Sequence, residues 1–224
     1  MAKADWAIIF DVDGVLLDLT RAEEELFFEP FEARCDVTKL SRDWNSYKIR
    51  NDEDIIKELV ERHELHPSEV GIITREYLTL LDQRMQSGAI VSQIIGGAMA
   101  LVEKFKSRAT LGIATANFRR AAELRLKQAG LWDPVSALAH GADGGGHKSA
   151  ILARAIESSQ LSPQRIVFIG DNVNDVVAGI ENKVHFIGFS TDGQRREKLA
   201  RAGAKLLSAD HAQTEILLEE ILDT

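Results

Sequence analysis

Residues 6–18 read Trp6-Ala7-Ile8-Ile9-Phe10-Asp11-Val12-Asp13-Gly14-Val15-Leu16-Leu17-Asp18. The apolar run at 6–10 is short and bounded by polar residues, the pattern of a strand buried in a parallel sheet. It stops at two carboxylates. Asp11 and Asp13 have one residue between them, so on an extended chain they share a face, and Gly14 lets the backbone turn sharply straight afterwards. Two acids held together at the mouth of a buried strand repel each other. The repulsion is tolerable when a cation sits between them or when one keeps its proton. A solvated acidic turn explains the same residues more simply, so the context of the motif has to decide.

Composition sets the outer limits. A chain of 224 residues is long enough for one well-buried α/β domain with a substantial insertion, or for two small domains. A formal net charge of -8 argues against general attraction to nucleic acid or to anionic membranes, and leaves room only for a local basic pocket. The one cysteine, Cys35, excludes an internal disulfide and fits a reducing compartment. Asp5, Asp11 and Asp13 interrupt the first apolar stretch, so no signal peptide is expected, and no apolar run approaches a membrane-spanning length. The expectation is a cytoplasmic enzyme or binding protein.

From residue 19 to about 88 the pattern is helical. Charges at 23–25 precede Leu26, Phe27, Phe28 and Phe31, with Pro30 limiting the regularity of that helix. Asn51 or Asp52 can cap the next helix, where Ile55, Ile56, Leu59 and Val60 make one apolar stripe. Pro67 and Ser68 open a third, with Val70, Ile73, Tyr77, Leu80 and Leu81 as its inward side. Placed directly after the acidic strand end, these helices are expected to fold as a lid above it.

From about residue 93 strand and helix alternate. The spacing predicts a helix over 98–106, a strand over 109–114 leading into Thr115-Ala116-Asn117, and a helix over 118–128 stopped by Gly130. A strand over 135–139 and a glycine-rich stretch, 140–149, follow. Then come a helix over 149–158, a strand over 165–169 ending in Gly170-Asp171-Asn172-Val173-Asn174-Asp175, and a last core strand over 185–189. Such alternation implies an α/β fold, a Rossmann-like parallel sheet core with helices on both faces, which binds ligands beyond the carboxyl ends of its strands. The predicted division is a core of 1–18 and 89–224 with an inserted α-helical cap domain at 19–88. One sheet edge would then collect Asp11, Asp13, Thr115, Asn117, Lys148, Asp171 and Asp175. A hydroxyl, a lysine and four carboxylates are the parts needed to bind Mg²⁺ and hold a phosphate against a nucleophile.

On these four ordered segments, Asp11-Val12-Asp13-Gly14-Val15, Thr115 after an apolar strand, Lys148, and Gly170 to Asp175, the chain resembles the haloacid dehalogenase superfamily of hydrolases. It looks like the magnesium-dependent phosphatase branch with a helical cap inserted after the first motif. The resemblance implies that Asp11 is the nucleophile, forming an aspartyl-phosphate, and that Asp13 protonates the leaving alkoxide and later activates water. Thr115 would hold a phosphate oxygen and Lys148 would neutralise nucleophile and phosphate. By the same resemblance Asp171 would bind the metal with Asp11 and the Asp13 carbonyl, and Asp175 would orient that shell. A dehalogenase of the superfamily normally lacks the second aspartate, so Asp13 favours phosphoryl transfer. Phosphoglycolate and sugar phosphates are the substrates the resemblance suggests.

The chemistry of the residues points the same way. Phosphate monoesters hydrolyse extremely slowly unaided, and their charged oxygens repel an anionic attacker. Mg²⁺, Lys148 and backbone N–H groups near Gly14 would offset that repulsion, and a second carboxylate is needed to move protons in the two steps of covalent catalysis. The family often follows its lysine with proline, whereas here Ser149 follows Lys148. The stretch 141–149 nearly spells a nucleotide P-loop, but His147 separates Gly146 from Lys148, and Asp143 stands where a dinucleotide fingerprint needs glycine. It reads as a mobile loop. Asn117 either bonds phosphate or caps the following helix, and His147 reads as an exposed loop residue.

Substrate choice is expected to reside in the cap, at 44–52, where Lys48 or Arg50 would meet a second anionic group and Trp44 and Tyr47 would pack inward. Arg21 is a further candidate of that kind. The expected partner is a small-molecule phosphate ester, with neither nucleic acid nor membrane, and the chain is expected to be a monomer or homodimer. A phosphomutase of the same superfamily is the first alternative. A non-enzymatic phospho-accepting receiver domain is the second, disfavoured because there the accepting aspartate follows the third strand and no helical cap interrupts the first crossover.

Overall fold

A computed structural model describes residues 5–224, so residues 1–4 of the predicted first core segment lie outside the described residues. The chain runs β1 (Ala7–Phe10), β2 (Leu17–Asp18), α1 (Arg21–Glu32), α2 (Asp52–Arg62), α3 (Glu69–Gln86), β3 (Gln93–Ile94), α4 (Ala98–Phe105), β4 (Thr110–Ala114) and α5 (Arg119–Gln128). It continues α6 (Trp132–Val135), β5 (Leu138–His140), α7 (Lys148–Ser159), β6 (Ile166–Gly170), α8 (Val173–Glu181), β7 (His185–Phe189), α9 (Gly193–Arg201), β8 (Leu206–Ser208) and α10 (His211–Leu222).

Six strands form one sheet in the order β5-β4-β1-β6-β7-β8, every neighbouring pair parallel. β1 lies in its interior, and all four of its residues are fully buried. That is why the run carries no polar alternation. The opposite faces of the strands feed two different apolar clusters. Ile8, Phe10, Leu111, Ile113, Val167 and Ile169 join one with α4 and α10, while Ala7, Ile9, Ile166 and Phe168 join another with α7 and α8. The α/β doubly wound core thus follows from the helix–strand alternation.

Two elements depart from the expected pattern. The strand predicted at 135–139 begins at Leu138, because Trp132–Val135 forms a short helix with Pro134 in its first turn. β7 is not the last core strand. β8 pairs parallel beside it, Ile187 with Leu206 and Phe189 with Ser208, and it is too short and too half-buried to stand out as an apolar run.

Between β1 and β4, a two-stranded antiparallel ribbon pairs Leu17 with Ile94 and Asp18 with Gln93, bringing both ends of the helical insert together. The insert, α1 to α3, has its own apolar cluster of Phe27, Phe28, Phe31, Ile55, Ile56, Leu59, Tyr77 and Leu81, which also takes in Phe118 and Ala121 at the start of α5. Helix α1 runs through Pro30 to Glu32, and its start is fixed by a capping box between Thr20 and Glu23. Asn51 caps α2 by accepting a hydrogen bond from the Asp54 N–H at 2.8 Å. Among the described residues, no helix is long and apolar enough to cross a membrane.

Candidate active site

The sheet register builds the site. Phe10 stands level with Ile113 on one side and Ile169 on the other. The chain therefore delivers Asp11, Thr115 and Asp171 within two residues of that level on three adjacent strands, and Asp11 N–H donates to Ile169 O at 2.8 Å. Lys148 arrives from the next segment, at the first residue of α7, and Asp175 from the first turn of α8. All five line one cleft of 1280 Å³ together with Asp13, Gly14, Asn117 and residues of the insert.

Lys148 is the centre of charge. Its Nζ lies 2.8 Å from Asp11 Oδ2 and 3.0 Å from Asp175 Oδ1, and its side chain is 8% exposed. Burial opposes its charge, but the two carboxylates more than offset this and hold it protonated. Burial pushes Asp11 well above the ordinary carboxylate range, reinforced by Asp175 and Asp171 and opposed by Lys148. Asp171 is pushed up to about 6, first by burial and then by Asp175, with Arg195 and Lys148 acting against. Arg195 Nη1 reaches Asp171 Oδ2 at 2.5 Å from a half-exposed position on α9.

Asp11, Asp171 and Asp175 each present an oxygen within 4.8 Å of the others, a set that can hold a metal ion. Three buried carboxylates with one buried lysine leave an excess of negative charge, and an oxygen-only donor set suits a hard divalent cation. Gly14 fits the same purpose: at φ +76, a Cβ there would stand 2.3 Å from Asp171 Oδ2, so only glycine lets the turn close over that carboxylate. Asp175 spends both oxygens on protein, one on Lys148 and one on the Asn172 N–H at 3.0 Å, which suits an orienting role.

The Asp13 carboxylate does not join the three-carboxylate group. It turns to Arg125, 2.7 Å away, and remains a quarter exposed toward the cleft. Thr115 is nearly fully buried, and its hydroxyl accepts from the Asn117 N–H at 3.2 Å. Asn117 does not cap α5, since its Oδ1 accepts from Arg125 Nη1 at 3.0 Å. Asp52 and Asp143 do that instead, accepting from the N–H groups of Phe118 and Arg119, each at 2.7 Å. Arg50 lines the cleft, donating to Asn45 Oδ1 at 2.7 Å and Asn172 Oδ1 at 3.3 Å. Lys48 is exposed and is not among the residues lining the cleft, and the same is true of Arg21, whose Nε pairs with Glu25. Tyr47 is buried, while Trp44 both packs on Phe27 and Phe28 and lines the cleft.

Three residues of the site, Arg125, Glu23 and Asp52, carry no motif. Arg125 sits on α5, 2% exposed, with Nε 2.5 Å from Glu23 of the insert. Asp52 is buried beside the cleft, and burial raises it to about 7. The one clue to Arg125 is its position, four residues after Ala121 and three after Ala122 on the buried stripe of its helix.

A parallel α/β sheet with a carboxylate and lysine site at its strand ends defines the class. Within it, the profile of the haloacid dehalogenase-like hydrolases matches residues 7–182, and the chain belongs to that family. No curated protein matches it in sequence. Solved structures share the fold: a haloacid dehalogenase-like family hydrolase of Streptococcus pneumoniae is 18% identical with TM-score 0.65, covering 98% of this chain and 100% of that one. A β-phosphoglucomutase of Clostridium difficile is 19% identical with TM-score 0.70, covering 97% and 96%. A family hydrolase of Deinococcus radiodurans, solved with bound phosphate and sodium, is 20% identical with TM-score 0.61, covering 99% and 97%. At these identities the likeness speaks for the fold.

Proposed function

We propose that this chain is a Mg²⁺-dependent phosphatase that hydrolyses a small phosphorylated metabolite through an aspartyl-phosphate on Asp11. The observation that carries the reading is Lys148 bridging Asp11 and Asp175 beside Asp171, with Asp13 two residues beyond Asp11 in the same cleft. Asp11 Oδ1 is fixed by the Val12 N–H at 2.7 Å and Oδ2 by Lys148, so the carboxylate is oriented before substrate arrives. Asp11 would attack phosphorus while the ester oxygen leaves with a proton from Asp13. In the second step Asp13 would take a proton from water, which attacks the same phosphorus and frees Asp11. Lys148 and the Thr115 hydroxyl would hold phosphate oxygens. Asp11, Asp171 and the main chain of Asp13 would hold Mg²⁺, oriented by Asp175, and the ion supplies positive charge where negative charge develops.

The substrate is proposed to be a small phosphate ester, with the insert acting as a cap at 19–88 over the core and supplying the wall that faces its alcohol portion. Phe27, Trp44, Ile49 and Ile55 make much of that wall apolar. A cytoplasmic setting goes with this reading, since the one cysteine, Cys35, is free. The test is hydrolysis of a panel of phosphate esters with and without Mg²⁺, with Asp11→Asn as control. Metal-dependent turnover that Asp11→Asn abolishes supports the proposal. Equal rates for both proteins would end it.

A further inference from the structure

The stretch Gly144-Gly145-Gly146 has φ +91, +66 and +96, three successive glycines in the left-handed region. The N–H groups of Gly144 and Gly146 point out of this turn and offer a seat for negative charge, while Gly145 N–H closes the turn on Ala142 O at 2.7 Å. The seat is filled from within the chain. Gly144 N–H donates to Glu53 Oε2 at 2.6 Å and Gly146 N–H to Asp54 Oδ2 at 2.7 Å, both acids in the first turn of α2. A Cβ on Gly145 would stand 3.0 Å from both Asp54 oxygens, so the glycines also provide the room for that approach. Asn51 Nδ2 donates to Gly146 O at 2.8 Å, closing the contact from the other direction. On the core side, Arg154 Nη2 holds Gly141 O at 2.8 Å. The loop that reads as mobile in the sequence has these amides paired with carboxylates.

Two residues after Gly146 stands Lys148, and the same first turn of α2 grips the other phosphate-side loop. Asp52 N–H donates to Ala116 O at 2.9 Å and its Oδ2 accepts from Phe118 N–H at 2.7 Å, on either side of Asn117. We propose that Glu53 and Asp54 are positioning residues: by filling the amide seat of residues 144–146 they latch the helical insert to the core and set Lys148 against Asp11. Neither acid touches the reacting atoms. The role assigned to Lys148 rests on the proposed phosphatase reading, whereas the latch itself does not.

The test compares wild type with Glu53→Ala/Asp54→Ala and with Glu53→Gln/Asp54→Asn, which keeps an acceptor oxygen at each position. Amide exchange of Gly144 and Gly146 is followed by NMR, and acylation of Lys148 by an amine-reactive ester is followed by mass spectrometry. The alanine pair should exchange both amides roughly tenfold faster or more and label Lys148 correspondingly faster, with the amide pair in between. If the alanine pair does not fold, Asp54→Ala alone should do the same for Gly146. Unchanged exchange refutes the latch. Faster exchange with unchanged Lys148 labelling refutes the positioning role. Because neither readout needs turnover, failure of the latch and failure of the phosphatase reading are distinguishable.

Discussion

Asp13 and Arg125, 112 residues apart in sequence, form a salt bridge of 2.7 Å whose guanidinium also reaches Glu23 of the insert at 2.5 Å. Burial works against the charge of Arg125, and Asp13 and Glu23 more than compensate, so it stays a cation inside the protein. One buried arginine therefore ties the proposed proton-transfer aspartate to the first helix of the insert.

Arg125→Met should destabilise the fold by about 3–5 kcal/mol, since it leaves the Glu23 carboxylate buried without a counter-charge. Adding Glu23→Gln should recover part of that loss. Urea denaturation of the two variants reads the difference, and equal losses would show that the Glu23–Arg125 pair is not what matters.

Asp52 gives a pH signature. Its carboxyl is raised from 3.8 to about 7 in the folded state, chiefly by burial, so the folded chain holds more protons than the unfolded one across that window. Stability contributed by this group is present below about pH 4 and is lost as pH rises toward 7, by an amount on the order of 4 kcal/mol. Asp52→Asn keeps an acceptor for the Phe118 N–H but cannot ionise. Its melting temperature relative to wild type should thus be more favourable at pH 8 than at pH 4.5, and a pH-independent difference would contradict the assignment.

Metal binding can be read without turnover. Mg²⁺ at a hundred times its dissociation constant should stabilise the protein by about 2.7 kcal/mol. Asp171→Asn should abolish most of this by removing a ligand, and Gly14→Ala should do so by forcing a Cβ onto that same carboxylate. A thermal shift that survives in both variants would place the ion elsewhere.

Arg50 lines the cleft from the insert and bridges to Asn172 of the core. Arg50→Ala should raise KM on the best substrate severalfold while changing kcat less, the mark of an interaction made equally in ground and transition states. Steady-state kinetics with an unchanged KM would remove Arg50 from substrate recognition.

What the amino-acid order determined by itself is the part governed by local pattern. The unbroken apolar run at 7–10, the strand–helix alternation after residue 93 and the acids placed just past strand ends follow from chain periodicity and from the rule that parallel strands open their carboxyl ends to ligands. Asp11, Asp13, Thr115, Lys148, Asp171 and Asp175 were legible on that basis, and the cleft gathers all six. Tertiary structure alone decided which way the remaining side chains face. Arg125 reads as one more cation on a charged helix until the fold buries it between Asp13 and Glu23, and Lys48 lies close to Arg50 in sequence yet does not line the cleft. Glu53 and Asp54 meet Gly144 and Gly146 across more than 90 residues. Such contacts depend on how two separately packed layers dock, and no periodicity within either segment encodes that geometry.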